Sequence, residues 1–424
     1  MTTTMRKATI IAIIAIALVT TSEAVAQNQH GWRGPERDGI YPETGLLKVW
    51  PADGPQLLWE TMDAGKGYSS PVIVGDRLYI TGMNRNEDRE IFSAYTLDGK
   101  KIYETEYGSP FQNTYPDTRT TPTIVGERAW VISGAGEVVC INNKNGEIIW
   151  KVDGNSTFGR KTGTWGTSEA PLVYDNKVIF SPGGDQTAIV ALNAENGQTI
   201  WKSRTLNEIS NYVSPLLISH NGKKQIVALT GKNVIGVNPA NGDIEWTFDE
   251  WGQAAGARGE KISANTPLFK DGRIFVCNGY NMNSFMLELN SDATGVKLLW
   301  ENSDLDTHIG GFILLDGTIY GSNWINNTQG NWVAVDWNTG QTRYNTPWGE
   351  GRSKGSVIAA DGMLYCYDER RGSVGLVRPT PEKFDVVSEF RITKGEGPHW
   401  AHPVINNGVL YIRHGIALMA FRIK

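Results

Sequence analysis

Three of the six histidines stand where a side chain could act as a general base or a metal ligand. They are His308, two residues before the Gly310–Gly311 pair, and His399 with His402, three residues apart. No carboxylate or nucleophile is placed beside any of them by spacing alone, so no catalytic set can be read off directly. The three cysteines, Cys140, Cys277 and Cys366, each sit inside an apolar β-type run and match no metal spacing. They read as small buried hydrophobes. No glycine-rich loop follows a strand and opens a helix, which disfavours nucleotide binding. Whether any of these groups meet depends on the elements that carry them.

The chain has 424 residues, beyond the roughly 100–200 of a usual single domain, so it holds several domains or one repeat architecture. Its start reads as an export signal. Arg6 and Lys7 form a basic entry, Ala8 to Val19 is an apolar run too short to span a bilayer, and Ala24-Val25-Ala26 offers cleavage before Gln27. Residues 1–26 are therefore expected to be removed, leaving a periplasmic or secreted protein. No Cys lies near the cleavage point, which closes the lipoprotein route, and no later segment is apolar enough to cross a membrane. Without Arg6, Lys7 and Glu23 the chain carries 38 basic and 44 acidic residues, a formal charge of −6. That mixed, mildly acidic surface argues against a nucleic-acid partner.

The strongest signal is repetition. Asn193-Ala-Glu-Asn196-Gly197-Gln-Thr-Ile-Trp201 and Asn143-Lys-Asn145-Gly146-Glu-Ile-Ile-Trp150 share one plan: an Asn-rich glycine turn, a short run, then an aromatic. Trp59, Tyr103, Trp150, Trp201, Trp246, Trp300, Tyr344 and Phe390 make eight such anchors, spaced 44, 47, 51, 45, 54, 44 and 46 residues apart. A second landmark is a small or polar residue before Pro and an apolar pair, as in Ser70-Pro71-Val72 and His402-Pro403-Val404. A third is a hairpin signal such as Asp271-Gly272, Asp316-Gly317, Asp361-Gly362 or Asn407-Gly408, each followed by an alternating strand. Four short antiparallel strands per period of 40–50 residues is a propeller blade. The expected fold is all-β: an eight-bladed β-propeller over residues 56–424, preceded by an arm at 27–55. Gln56-Leu57-Leu58-Trp59 is expected to pair with the C-terminal strands and close the ring. Seven blades is the fallback, because the seventh period has lost its glycine turn before Phe390.

At these residues the chain resembles a known family. The copy ending in Trp201 is similar to the tryptophan-docking repeat of pyrroloquinoline-quinone-like propellers, which unites quinoprotein alcohol dehydrogenases with a non-enzymatic scaffold of the outer-membrane barrel-assembly machinery. The opening Trp32-Arg33-Gly34-Pro35 with Arg37-Asp38-Gly39, and the closing Trp400-Ala401-His402-Pro403, resemble an exported branch of that group. The resemblance covers nearly all of the mature chain and speaks to fold more than function. Quinoproteins of this family carry two adjacent cysteines over the quinone and a calcium held by Glu, Asn and Asp. The cysteine pair is missing here. Glu169, Asn265 and Asp306 stand as a partial echo of the calcium ligands, a thin start for an ion that takes six to eight oxygens.

The propeller also says what lines the axis, since residues just before each innermost strand face the channel. These are Lys66, Tyr68, Asp117, Arg119, Trp165, Glu169, Tyr212, Asn265, His308, Lys354, His399, Trp400 and His402. Such an aromatic and mixed-charge collar suits ligand binding. Trp165, Trp324 and Trp400 offer faces for sugar rings. Arg33 and Arg37 are expected to clamp the arm onto the blades through arginine–carboxylate pairs. The reading is a monomeric scaffold without catalysis, binding a protein partner, a small molecule or a carbohydrate, with no cofactor required. A quinone- and calcium-dependent alcohol or sugar dehydrogenase is the alternative, and a carbohydrate-binding or carbohydrate-processing propeller the second.

Overall fold

A computed structural model describes residues 29–249, 262–349 and 351–424. The expected signal peptide lies outside the described residues. Among those described, no helix is long and apolar enough to cross a membrane.

Eight four-stranded antiparallel sheets form an eight-bladed propeller. Seven blades are continuous in sequence, spanning residues 72–108, 123–153, 172–202, 216–249, 268–302, 312–346 and 355–391. Blade 8 is split, as its missing strand required. Val404–Asn406, Val409–His414 and Ala417–Arg422 are completed by Gln56–Thr61, which pairs Gln56 with Arg422 and Trp59 with Ala420. Blade 7 is a full blade despite its lost glycine turn, and the count is eight.

Local backbone chemistry builds each hairpin. Asp271-Gly272, Asp316-Gly317, Asp361-Gly362 and Asn407-Gly408 all have positive φ at both residues, the geometry that a tight two-residue hairpin demands. Packing then joins blade to blade. The indole N–H of Trp59 donates to the Leu97 carbonyl at 2.7 Å, Trp150 to Ala194 at 3.1 Å, Trp201 to Pro239 at 3.2 Å and Trp300 to Trp337 at 3.2 Å. In each case the acceptor belongs to the next blade. Each ring also lies flat against that blade's turn glycine: a Cβ on Gly99 would come within 2.7 Å of Trp59, and one on Gly242 within 2.5 Å of Trp201. Phe390 follows the same rule, docking on Gly54 just ahead of the strand that completes blade 8. Trp246 differs, bonding Gln225 in its own blade, and Gln225 in turn donates to Ala293 of blade 5.

The three cysteines are buried and unpaired by disulfide, consistent with hydrophobic packing roles. Burial pushes the Cys140 thiol up to about 12. Its thiolate is therefore scarce at neutral pH.

Candidate functional site

The N-terminal arm is bonded to the innermost strands of several blades. His30 bridges Ile124 in blade 2, and Ile40–Tyr41 adds a parallel strand to the innermost strand of blade 7. Between these points two arginines reach the surrounding blades. Arg37 donates to the carbonyls of Ala170, Pro171 and Pro215 and to the Thr123 hydroxyl, tying blades 2, 3 and 4. Arg33 donates to the carbonyls of Phe312 and Val357 and to Nδ1 of His402, tying blades 6, 7 and 8. The expected carboxylate partners are not the ones found: both arginines are held mainly by backbone carbonyls. Innermost strands present carbonyls at the axis, and a guanidinium offers five donors to meet them. Both arginines are buried, and desolvation pulls each down to about 10, so they stay charged at neutral pH.

Above the arm lies a cavity of about 450 Å³. Trp32 and His402, whose rings stand 4.5 Å apart, belong to its lining, and the arm thus contributes to its wall. Three aromatic groups add to the lining. Trp400 stands 4.9 Å from Tyr68 and 5.3 Å from Tyr115, Trp165 stands 5.8 Å from Tyr212, and Tyr280 lies 4.8 Å from His308. Trp324, expected to offer a face to the channel, packs 5.0 Å from Tyr280 and is not itself among the lining residues. Arg119 and Glu369 bring charge to the wall.

Of the expected collar, Tyr68, Arg119, Trp165, Tyr212, His308, Trp400 and His402 line this cavity. Lys66 instead lines a separate groove, paired with Glu87 and Asp117. Lys354 is buried behind the wall in an ion pair with Glu369. His399 is stacked on His414 at 3.6 Å and bonded to the Tyr367 hydroxyl. Trp32, Tyr115, Tyr280 and Glu369 are cavity residues that the collar rule missed. Tyr280 and Glu369 follow second strands rather than precede first ones.

The polar groups of catalytic type serve the backbone. Glu169 accepts from the Ser181 N–H at 3.0 and 3.2 Å. Asp306 accepts from the N–H groups of Asn281 and Trp324, at 2.8 and 2.9 Å. Asn265 accepts from Gly311 N–H and donates to the carbonyls of Thr307 and His308. Burial pushes Glu169 up to about 8 and Asp306 up to about 7. These oxygens face N–H donors, and among the described residues no cluster of three or more His, Cys, Asp or Glu is set to hold a metal. With their oxygens committed to backbone donors, Glu169, Asn265 and Asp306 do not fit the calcium of a quinone site. Burial holds His308, His399 and His402 neutral, each down to about 3; Lys354, His414 and Arg33 respectively add to the effect. The Nε2 of His308 meets the Tyr280 hydroxyl at 2.9 Å, while its buried Nδ1 has no hydrogen-bond partner among the described residues.

Comparison with known proteins follows the same outline. The family model described as outer membrane protein assembly factor BamB matches residues 40–152 and 113–380. The chain is 23% identical to outer membrane protein assembly factor BamB of Yersinia pestis over 291 residues, 65% of this chain and 67% of that protein. An uncharacterized protein of Rickettsia conorii is 24% identical over 190 residues, 43% of this chain and only 41% of the relative's length. Among solved structures, BamB from Moraxella catarrhalis superposes with a TM-score of 0.60 at 14% identity, covering 87% of this chain and 99% of that one. Quinohemoprotein alcohol dehydrogenase from Comamonas testosteroni gives 0.66 at 11% identity, covering 92% and 79%. At such identities the structural likeness concerns the fold.

Proposed function

The chain belongs to the pyrroloquinoline-quinone-like repeat family described as outer membrane protein assembly factor BamB, and from that premise we propose an exported recognition scaffold that binds its ligand in the axial aromatic cavity and performs no catalysis. One observation carries this reading. The side chains of catalytic type, Glu169, Asn265, Asp306 and His402, are hydrogen-bonded into the fold itself, and Trp and Tyr rings form much of the cavity wall around His402. Convergent aromatics with a few polar groups are the usual lining of a pocket that holds a small ligand. The volume suits this, since ligand pockets run to roughly 300–1,000 Å³.

The scaffold role is supported by the family, and the arm supports rigidity: six blades are tied at the axis by two arginines. A pocket held this way is preorganised, which lowers the ordering cost of binding. The test is a thermal-shift screen of the mature chain against peptides, saccharides and small aromatic acids, repeated with Trp165→Ala and Trp400→Ala. A ligand of the cavity raises the melting temperature of the wild type in a saturable way and fails to do so in both variants. Shifts that survive both substitutions would move recognition away from the axis.

A further inference from the structure

Arg119 separates the cavity from a merely apolar one. It lines the wall, and its hydrogen bonds use a single terminal nitrogen, which donates to the carbonyls of Thr114 and Tyr115. Among the described residues it forms no ion pair: the nearby Asp117 accepts from the Tyr68 hydroxyl and meets Lys66, and Glu90 accepts from Tyr107 and Gly134. Glu369, the other charge on the wall, is neutralised by Lys354. Among the described residues the cavity thus offers one guanidinium with donors to spare, and a guanidinium prefers a carboxylate held by two parallel bonds.

The rings indicate what the carboxylate is attached to. A flat aromatic ligand stacks best between offset parallel faces. Here the wall pairs meet at 56° for Trp165–Tyr212, 57° for Tyr68–Trp400 and 58° for Tyr115–Trp400. These open corners suit a puckered ring whose C–H groups meet one face while its hydroxyls find polar edges. Such edges are present in the Tyr280 hydroxyl and the side chains of Asn327 and Thr328. Resting on the cavity reading above, we propose that the ligand is an acidic saccharide: a uronic acid whose pyranose ring lies against the tryptophans and whose carboxylate meets Arg119.

The test is equilibrium binding by the mature chain of digalacturonic acid, neutral digalactose and naphthoate, a flat aromatic carboxylate. The acidic disaccharide is expected to bind about tenfold tighter than the neutral one, the increment of one charge-assisted contact. That preference collapses in Arg119→Met and survives in part in Arg119→Lys, which keeps the charge and guards against a folding artefact. Equal binding of the two disaccharides would overturn the role of Arg119. Naphthoate binding that Trp400→Ala abolishes, with no saccharide bound, would overturn the ligand class and leave the cavity reading standing. No binding of any probe, with melting unchanged in the variants, would remove both.

Discussion

A terminal nitrogen of the Arg33 guanidinium lies 3.0 Å from Nδ1 of His402, and the other ring nitrogen of that histidine lies 2.8 Å from the Ile309 carbonyl. The arginine can only donate, so His402 accepts at Nδ1 and carries its proton on Nε2, donated to Ile309. The arm and the last blade are thereby joined through a neutral histidine to blade 6. Replacing Arg33 with Met leaves the carbonyls of Phe312 and Val357 without this donor. Arg33→Met is expected to destabilise the protein by about 3 kcal/mol, measured as a lower urea midpoint. Arg37→Met, which strands carbonyls in blades 3 and 4, should cost a similar amount. A loss near zero in both would deny the arm its role at the axis.

The same histidine sets a dependence on pH. Its folded pKa is held down to about 3, against 6.5 when free. A base whose folded pKa is depressed leaves stability complete above about 6.5 and lets it fall as pH drops toward 3, because the unfolded chain takes up the proton first. Glu90, Glu169 and Asp306, pushed up to about 7, 8 and 7, act in the opposite sense at mildly acidic pH. The comparison with His402→Gln isolates the histidine. The stability gap between wild type and variant should narrow on acidification below pH 6.5, by up to about 1.4 kcal/mol per pH unit. A gap that stays constant from pH 7 to pH 4 would show that His402 is not held neutral.

The blade joints can be probed by one methyl group. Gly99 has φ near +86° and its added Cβ would press within 2.7 Å of the Trp59 ring, whereas Gly75, with φ near +60°, has open space around it. Gly99→Ala is expected to destabilise by about 2–4 kcal/mol, from strain at positive φ together with displacement of the ring. Gly75→Ala bears only the backbone part, about 1 kcal/mol. Equal melting temperatures for the two variants would refute the docking of Trp59 on the turn.

Much of this architecture was legible before any coordinates. Trp59, Trp150 and Trp201 recur because each must wedge against the next blade's glycine, so repetition of packing appears as repetition of sequence. Even ring closure followed, since three C-terminal strands demanded a fourth and Gln56–Thr61 was the nearest supply. The cavity was only half legible. Tyr68, Trp165, Trp400 and His402 precede innermost strands, a position the repeat marks. Tyr280 and Glu369 come from loops after second strands, whose lengths vary between blades and carry no landmark. Glu169 and Asn265 obey the positional rule and still point into the fold, because buried N–H groups of Ser181 and Gly311 claim them. Backbone carbonyls have no signature in a sequence, which is why the partners of Arg33 and Arg37 had to be seen.

The central claim, a scaffold rather than a quinone enzyme, is tested most directly by a thermal-shift titration of the mature protein with pyrroloquinoline quinone and calcium. A cofactor that binds only the folded state must raise the melting temperature as its concentration rises. With the oxygens of Glu169, Asn265 and Asp306 held by backbone donors, no saturable rise is expected at any ratio of the two. A saturable rise that Glu169→Ala abolishes would contradict the account and restore the dehydrogenase reading.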